Sequence, residues 1–256
     1  MRRLSQKIAI VTGAGSGIGR ATAQLFAVEG AAVVLADWNL STAMETQALI
    51  GSEESRIMPL ACDISQEEDI RRLALETEAR FGRIDILVNN AAAFHYRGAH
   101  EADAQDWQRS LATNVVGTSL CSRVVGERMR ASGGGAIVNV ASINGFQAEE
   151  GYATYCSSKA ALLMLTRCMA IDFGPWNIRV NSVSPGPVNT PALQRELERL
   201  RVNPAEFERQ VFQKQCLQRI LQPMDVARTI LFLTSEDAAA ITGADLVVDG
   251  GYSARS

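Results

Sequence analysis

The chain has 256 residues, 47% of them hydrophobic and 21% charged, a composition that supports a globular fold with a substantial buried core. A net charge of -3 gives no electrostatic reason to expect nucleic acid or an anionic membrane as a partner. Two histidines, His95 and His100, without paired ligand spacing argue against a metal site, and five cysteines lacking any Cys-x-x-Cys pair fit a reducing cytosol.

The apolar run at 8–11 meets Gly13 too soon for a signal sequence and reads as a first strand. Further strands are expected at 32–37, 57–62, 84–89, 136–141, 178–183 and 246–248. Most are near-continuous Val, Ile, Leu and Ala, as in strands buried on both faces of a parallel sheet. Helical patterns lie between them near 18–29, 41–50, 66–80, 104–131, 152–173 and 223–234. Ser65, with Glu68 three residues on, is the candidate N-cap of the third helix, and Gly133-Gly134-Gly135 closes the fourth. No run reaches the roughly 18 apolar residues of a membrane span; the stretch at 160–165 is cut by Arg167. Strict alternation predicts one α/β domain over 1–256, a doubly wound parallel sheet of the Rossmann type with helices on both faces. Only 187–222, rich in charge and proline, breaks the rhythm, and a connection that long reads as a substrate lid.

Thr12-Gly13-Ala14-Gly15-Ser16-Gly17-Ile18-Gly19 sits where the first strand meets the first helix. Glycines there let the backbone turn tightly and approach a pyrophosphate, met by the helix N-terminal N–H groups. Asp37 ends the second strand, 24 residues after Gly13. A carboxylate at that point accepts hydrogen bonds from the adenosine ribose hydroxyls and repels a 2′-phosphate, so NAD is expected over NADP. An Asp that merely caps the following helix is the plainer alternative. Tyr155 and Lys159 lie four apart on the fifth helix and share a face. A free tyrosine, with a pKa of about 10, needs a nearby positive charge to exchange protons near neutrality. Ser142, at the end of the fifth strand and 13 residues before Tyr155, supplies a second hydroxyl for one substrate oxygen.

These pieces, together with Asp63, Asn89-Asn90-Ala91, Asn114, Pro185-Gly186 and Thr190, resemble the main branch of the short-chain dehydrogenase/reductase family over essentially the whole chain. The resemblance implies hydride transfer between NAD and an alcohol or ketone carbon, with Tyr155 as acid/base and Ser142 orienting the oxygen. It implies that Lys159 binds the nicotinamide ribose and tunes Tyr155, and that Asn114 holds a water in a proton relay. It further implies cofactor contacts from Gly13, Ser16, Gly17, Ile18, Gly19, Asp37, Asp63, Ile64, Asn90, Pro185, Gly186, Val188 and Thr190, and a cytoplasmic homotetramer or dimer acting on a small molecule. Ala92 stands where the family usually has glycine, a strain if that position needs positive φ.

The substrate stays open. A 3-oxoacyl-thioester reductase would usually prefer NADPH, which Asp37 opposes; a dihydrodiol or polyol dehydrogenase fits equally. An idle cofactor-binding regulator would be expected to lack the tyrosine or lysine. Arg195, Arg199, Arg201 and Arg209 in 187–222 could clamp a hydroxy acid or sugar acid, or form ion pairs along an exposed helix. Gln147, Glu149 and Glu150 suggest partners for the hydroxyls of a polyol, and Phe94-His95-Tyr96 is either a substrate wall or a packed loop.

Overall fold

The computed structural model describes residues 2–51 and 56–255. Its first half alternates β1 (Ile8–Thr12), α1 (Gly17–Val28), β2 (Ala32–Asp37), α2 (Leu40–Ile50), β3 (Ile57–Ala61), α3 (Glu67–Phe81) and β4 (Ile86–Asn89). The second half continues with α4 (Ala104–Leu111), α5 (Thr118–Ala131), β5 (Gly135–Val140), α6 (Ala153–Phe173) and β6 (Ile178–Pro185). Then come α7 (Pro191–Leu200), α8 (Pro204–Lys214), α9 (Pro223–Thr234) and β7 (Asp245–Val248).

The strands form one seven-stranded sheet in the order β3-β2-β1-β4-β5-β6-β7, and every pairing is parallel. Alternate residues of a strand serve opposite cores because successive side chains point to opposite faces. Ala9, Val11, Val33 and Leu35 pack with Phe26 of α1 and Ile230 of α9. Ile10 and Val34 pack on the other face with Ile70 and Leu73 of α3 and with Val125 and Met129 of α5. Each fully buried large side chain contributes about 1.5–3 kcal/mol, and Ile10→Ala would cost about 2–5 kcal/mol by opening a cavity between sheet and helices. The chain passes from β3 at one edge to β4 beside β1, which opens a crevice beyond the carboxyl ends of those two central strands.

Two local expectations need correction. The N-cap of α3 is Gln66, not Ser65. The Asp63 carboxylate accepts from Ser65 N at 2.9 Å and Gln66 N reaches Asp63 O at 2.9 Å, so a turn delays the helix by one residue. The helix expected at 104–131 is continuous but contains a wider, π-type turn at Ala112–Gly117, which carries Asn114. Gly133 and Gly134 follow α5 as expected, both at positive φ.

The irregular stretch after β6 is more ordered than its prolines suggest. Pro191, Pro204 and Pro223 each stand in the first turn of a helix, where the missing N–H costs nothing. Thr190 and Asn203 accept from backbone N–H groups as side-chain caps of α7 and α8.

Candidate active site

Beyond the carboxyl ends of β1, β4, β5 and β6 lies a cavity of about 1080 Å³, reaching from Asp37 and Trp38 at one end to Tyr155 and α7 at the other. Gly13, Ser16, Gly17 and Ile18 form its floor. Ser16, the N-cap of α1, makes no side-chain capping bond, and the first turn holds no acidic residue. The helix therefore presents unsatisfied N–H groups and the positive end of its dipole to the cavity, a fit for a pyrophosphate. Gly17 sits at φ +53, and a Cβ added there would come within 3.3 Å of Thr190 on the facing wall. The Asn90 side chain fixes this loop by donating to the carbonyls of Thr12 at 2.9 Å and Gly13 at 3.1 Å.

Asp37 is buried at the far end, where one carboxylate oxygen accepts from Gly15 N at 2.8 Å and the other from Asn39 N at 3.0 Å. The cap of α2 is Asn39, so Asp37 organises the loop rather than capping the helix. Asp63 and Ile64 line the same end, and Pro185, Gly186, Val188 and Thr190 line the opposite wall.

At the other end, Ser142 follows β5 and Tyr155 occupies the first turn of α6, with Lys159 one turn later. All three are buried and all three line the cavity. Lys159 Nζ donates to Val140 O at the end of β5, 2.8 Å away, which ties α6 to the strand that carries Ser142. Burial of its ammonium pushes the lysine down to about 8. Burial also raises Tyr155 well above the usual tyrosine value, against the pull of a hydrogen bond with Ser142 and with smaller upward pushes from Cys156 and Glu149. Burial thus favours the neutral phenol.

The loop after β4 builds an aromatic wall around that phenol. Phe94 stacks on Tyr155 with centroids 5.9 Å apart, and Tyr96 meets it edge-on at 5.3 Å. Of the three residues Phe94-His95-Tyr96, the two rings face the cavity and His95 packs away, its Nε2 2.6 Å from Asp106 Oδ1. The segment is thus cavity lining at Phe94 and Tyr96 and packed loop at His95. α7 covers the wall: the Tyr152 hydroxyl donates to Glu196 at 2.7 Å, and Arg199 grips both oxygens of the same buried carboxylate at 2.6 and 2.8 Å.

Two expected site residues lie off the cavity. Gly19 faces the loop itself: a Cβ there would fall 2.1 Å from Gly13 O and 2.5 Å from Asn90 Nδ2, so glycine permits close packing of helix on loop. Asn114 is buried with its amide engaged, accepting from Ala93 N at 2.7 Å and donating to Ala93 O and Ser158 Oγ at 3.0 Å each. Ala92 is not at positive φ, so the substitution for glycine brings no backbone strain. Trp38, Tyr152, Glu196, Phe207, Lys214 and Tyr252 join the lining unannounced. Nothing local in the sequence could have paired Tyr152 with Glu196, which lie 44 residues apart.

Among the arginines of 187–222, Arg199 and Arg209 are held in ion pairs by Glu196 and Glu206, whereas Arg195 is exposed and lines the cavity. All five cysteines are free. Among the described residues, no helix is long and apolar enough to cross a membrane.

A family model described as enoyl-(acyl carrier protein) reductase, of the short-chain dehydrogenase/reductase type, matches residues 13–253. The chain is 37% identical to a D-threitol dehydrogenase of Mycolicibacterium smegmatis over 255 residues, covering 99% of this chain and 95% of that one. It is 36% identical to a cyclopentanol dehydrogenase of a Comamonas species over 255 residues, covering 100% of each. A solved 7 alpha-hydroxysteroid dehydrogenase, complexed with NADH and 7-oxo glycochenodeoxycholic acid, superposes with a TM-score of 0.90 at 36% identity, covering 97% of this chain and 95% of that one.

Proposed function

The chain belongs to the short-chain dehydrogenase/reductase family, and from that premise we propose that Tyr155 is the acid/base of an NAD-dependent secondary-alcohol dehydrogenase. The observation that carries the assignment is the meeting of Ser142, Tyr155 and Lys159 at one end of a cavity whose other end is closed by Asp37 and whose floor is the uncapped start of α1. NAD, when bound, supplies the hydride acceptor and a positive charge. Ser142 hydrogen-bonds the substrate oxygen, and Tyr155 takes the hydroxyl proton in oxidation or returns it in reduction. Lys159 orders α6 against β5 and holds the ribose of the nicotinamide half. Asp37 binds the adenosine ribose, Asp63 and Ile64 flank the adenine, and Pro185, Gly186, Val188 and Thr190 face the carboxamide. Asn114 acts as a positioning residue, because its amide fixes Ala93 of the aromatic wall to Ser158 of α6. The segment 187–222 is the lid of a single-domain enzyme; its α7 presents Glu196 to Tyr152.

Exposed Val116 in the π-type turn before α5, and Met164 and Ile171 on α6, support assembly into a homotetramer, with Val247 of β7 at a second contact. Light scattering distinguishes four or two copies of 27.6 kDa from one. Free cysteines support a reducing, cytoplasmic setting.

The test is NADH formation from a panel of secondary alcohols, polyols and hydroxy acids; absence of turnover on all of them overturns the reading. Arg195 favours one second reading, a hydroxy-acid substrate clamped by its guanidinium. In that case Arg195→Met loses about tenfold or more on acids alone.

A further inference from the structure

The dehydrogenase reading leaves the substrate beyond its reacting carbon unspecified, and the side chains between Ser142 and Tyr155 narrow it. Three of them were candidates for reading hydroxyls. Glu150 does not line the cavity, whereas Gln147 and Glu149 do. Two carboxylates therefore stand at the substrate end, Glu149 and Glu196, and their states differ.

Both oxygens of Glu196 are engaged: Oε1 by Tyr152 and Arg199, Oε2 by Arg199 again. Its charge is balanced by the arginine and three of its roughly four acceptor sites are taken, so it has little left for a ligand. Glu149 is the opposite case. Its Oε2 accepts one hydrogen bond, from Asn144 Nδ2 at 3.0 Å, and it forms no ion pair among the described residues. Its other oxygen keeps its lone pairs for whatever occupies the cavity.

The same asparagine ties Glu149 to the chemistry. Ser142 Oγ lies 3.3 Å from Asn144 Oδ1, and Asn144 N donates back to Ser142 Oγ at 3.2 Å. From Ser142 Oγ the path to the carboxylate runs through one amide, O=C–N, between two hydrogen bonds. A substrate oxygen bound to Ser142 whose neighbouring carbon carries a second hydroxyl spans the same gap by O–C–C–O. A monohydric alcohol has nothing to offer that carboxylate. An anionic group at the same place would meet a like charge.

We propose that Glu149 is a specificity-determining residue that accepts a hydrogen bond from a second, vicinal hydroxyl of the substrate, so that the enzyme selects vicinal diols and polyols over monohydric alcohols and over hydroxy acids with the carboxylate at that position. This deepens the dehydrogenase reading and rests on it. Glu149 is exposed where the cavity is open, and a hydrogen bond from a neutral hydroxyl to its carboxylate is worth about tenfold in binding once the ligand displaces water there; the neutral amide of glutamine accepts more weakly.

The experiment measures kcat/KM with NAD on matched pairs that differ by one hydroxyl: cis- and trans-vicinal cyclopentanediol against cyclopentanol, and butanediol with adjacent hydroxyls against secondary butanol. The wild-type protein is expected to favour at least one diol of a pair. In Glu149→Gln, the diol-to-monool ratio should fall by about tenfold or more, mainly through KM. Glu150→Gln, off the cavity, should keep the wild-type ratio. Turnover of both members with a ratio that moves less than about threefold in Glu149→Gln overturns this inference and leaves the dehydrogenase reading standing. Turnover of no alcohol in any pair or in the wider panel overturns both.

Discussion

Lys159 and Tyr155 share a face of α6, yet the lysine gives its hydrogen bond to Val140 O at 2.8 Å and approaches the tyrosine only over the ring, 5.7 Å from its centroid. Pairing with a backbone carbonyl supplies no counter-charge, so burial of the ammonium is uncompensated. The two groups are thus held by burial toward their neutral forms, a lysine near 8 and a phenol above its ordinary range. A site of this kind is destabilised until ligands with complementary charge arrive.

Removal of that buried charge should stabilise the cofactor-free protein. An ordinary lysine titrates at 10.5 and Lys159 at about 8, so the folded state holds this proton less tightly than the unfolded chain. Below about pH 8 the ammonium is charged in both states and its full burial cost is present; as pH rises from about 8 to 10.5 the cost fades, because the folded lysine is already neutral. Lys159→Met should therefore gain roughly 1–3 kcal/mol near neutral pH, offset in part by the lost Val140 bond, and should lose this advantage above the ordinary lysine value. Urea unfolding near neutrality and at alkaline pH reads both; a variant less stable than wild type near neutrality contradicts the account.

Glu149 also acts on Tyr155 through its charge. Burial is the main cause of the raised Tyr155, and Glu149 adds to it in the same direction. On the proposed mechanism oxidation requires the phenolate, so kcat/KM for oxidation should rise with pH, and Glu149→Gln should move that rise to lower pH. A shift to higher pH would contradict the placement of the carboxylate beside the phenol.

Much of this site is local in sequence and was legible there. The glycines before α1, Asp37 at the end of β2, and Tyr155 with Lys159 on one helix face follow from spacing alone, because each feature lies within a single β-α unit. Strand order could be expected only as a class, since it depends on which distant strands pair. The Tyr152–Glu196 contact joins residues 44 apart, and no periodicity announces it. Gly19 shows a related limit: its spacing fits a phosphate loop, while its packing against Gly13 O depends on how the loop folds back on the helix. Prolines 191 and 204 suggested irregular chain because proline breaks helices from inside, while here each starts one.

Cofactor preference should follow Asp37. NAD should exceed NADP in kcat/KM by about tenfold or more, since a lost ribose contact and repulsion of a 2′-phosphate act together. Asp37→Asn keeps acceptors for Gly15 N and Asn39 N only in part, and Asp37→Ala removes both, so each should narrow the gap and the alanine variant should also lose stability by about 1–2 kcal/mol. Equal or better use of NADP by the wild-type protein would sink this reading.

The contact between α6 and α7 should control closure over the substrate. Tyr152→Phe leaves the ring beside Tyr96 but removes the donor to Glu196. Amide exchange over 191–200 should accelerate, and KM for substrate should rise by a few-fold, while NADH affinity changes little. Unchanged exchange in that helix would show that Arg199 alone holds the buried carboxylate.

The central claim is that the Tyr155 hydroxyl carries the proton of the reaction. Tyr155→Phe retains the ring stacked against Phe94 and leaves the cofactor end of the cavity untouched. Steady-state oxidation of the best alcohol, paired with NADH fluorescence titration on the same preparation, separates chemistry from cofactor binding. The account predicts turnover reduced by roughly 10² or more with NADH binding retained. Near-normal turnover in a variant that binds NADH like the wild type would contradict it and assign the proton to another group.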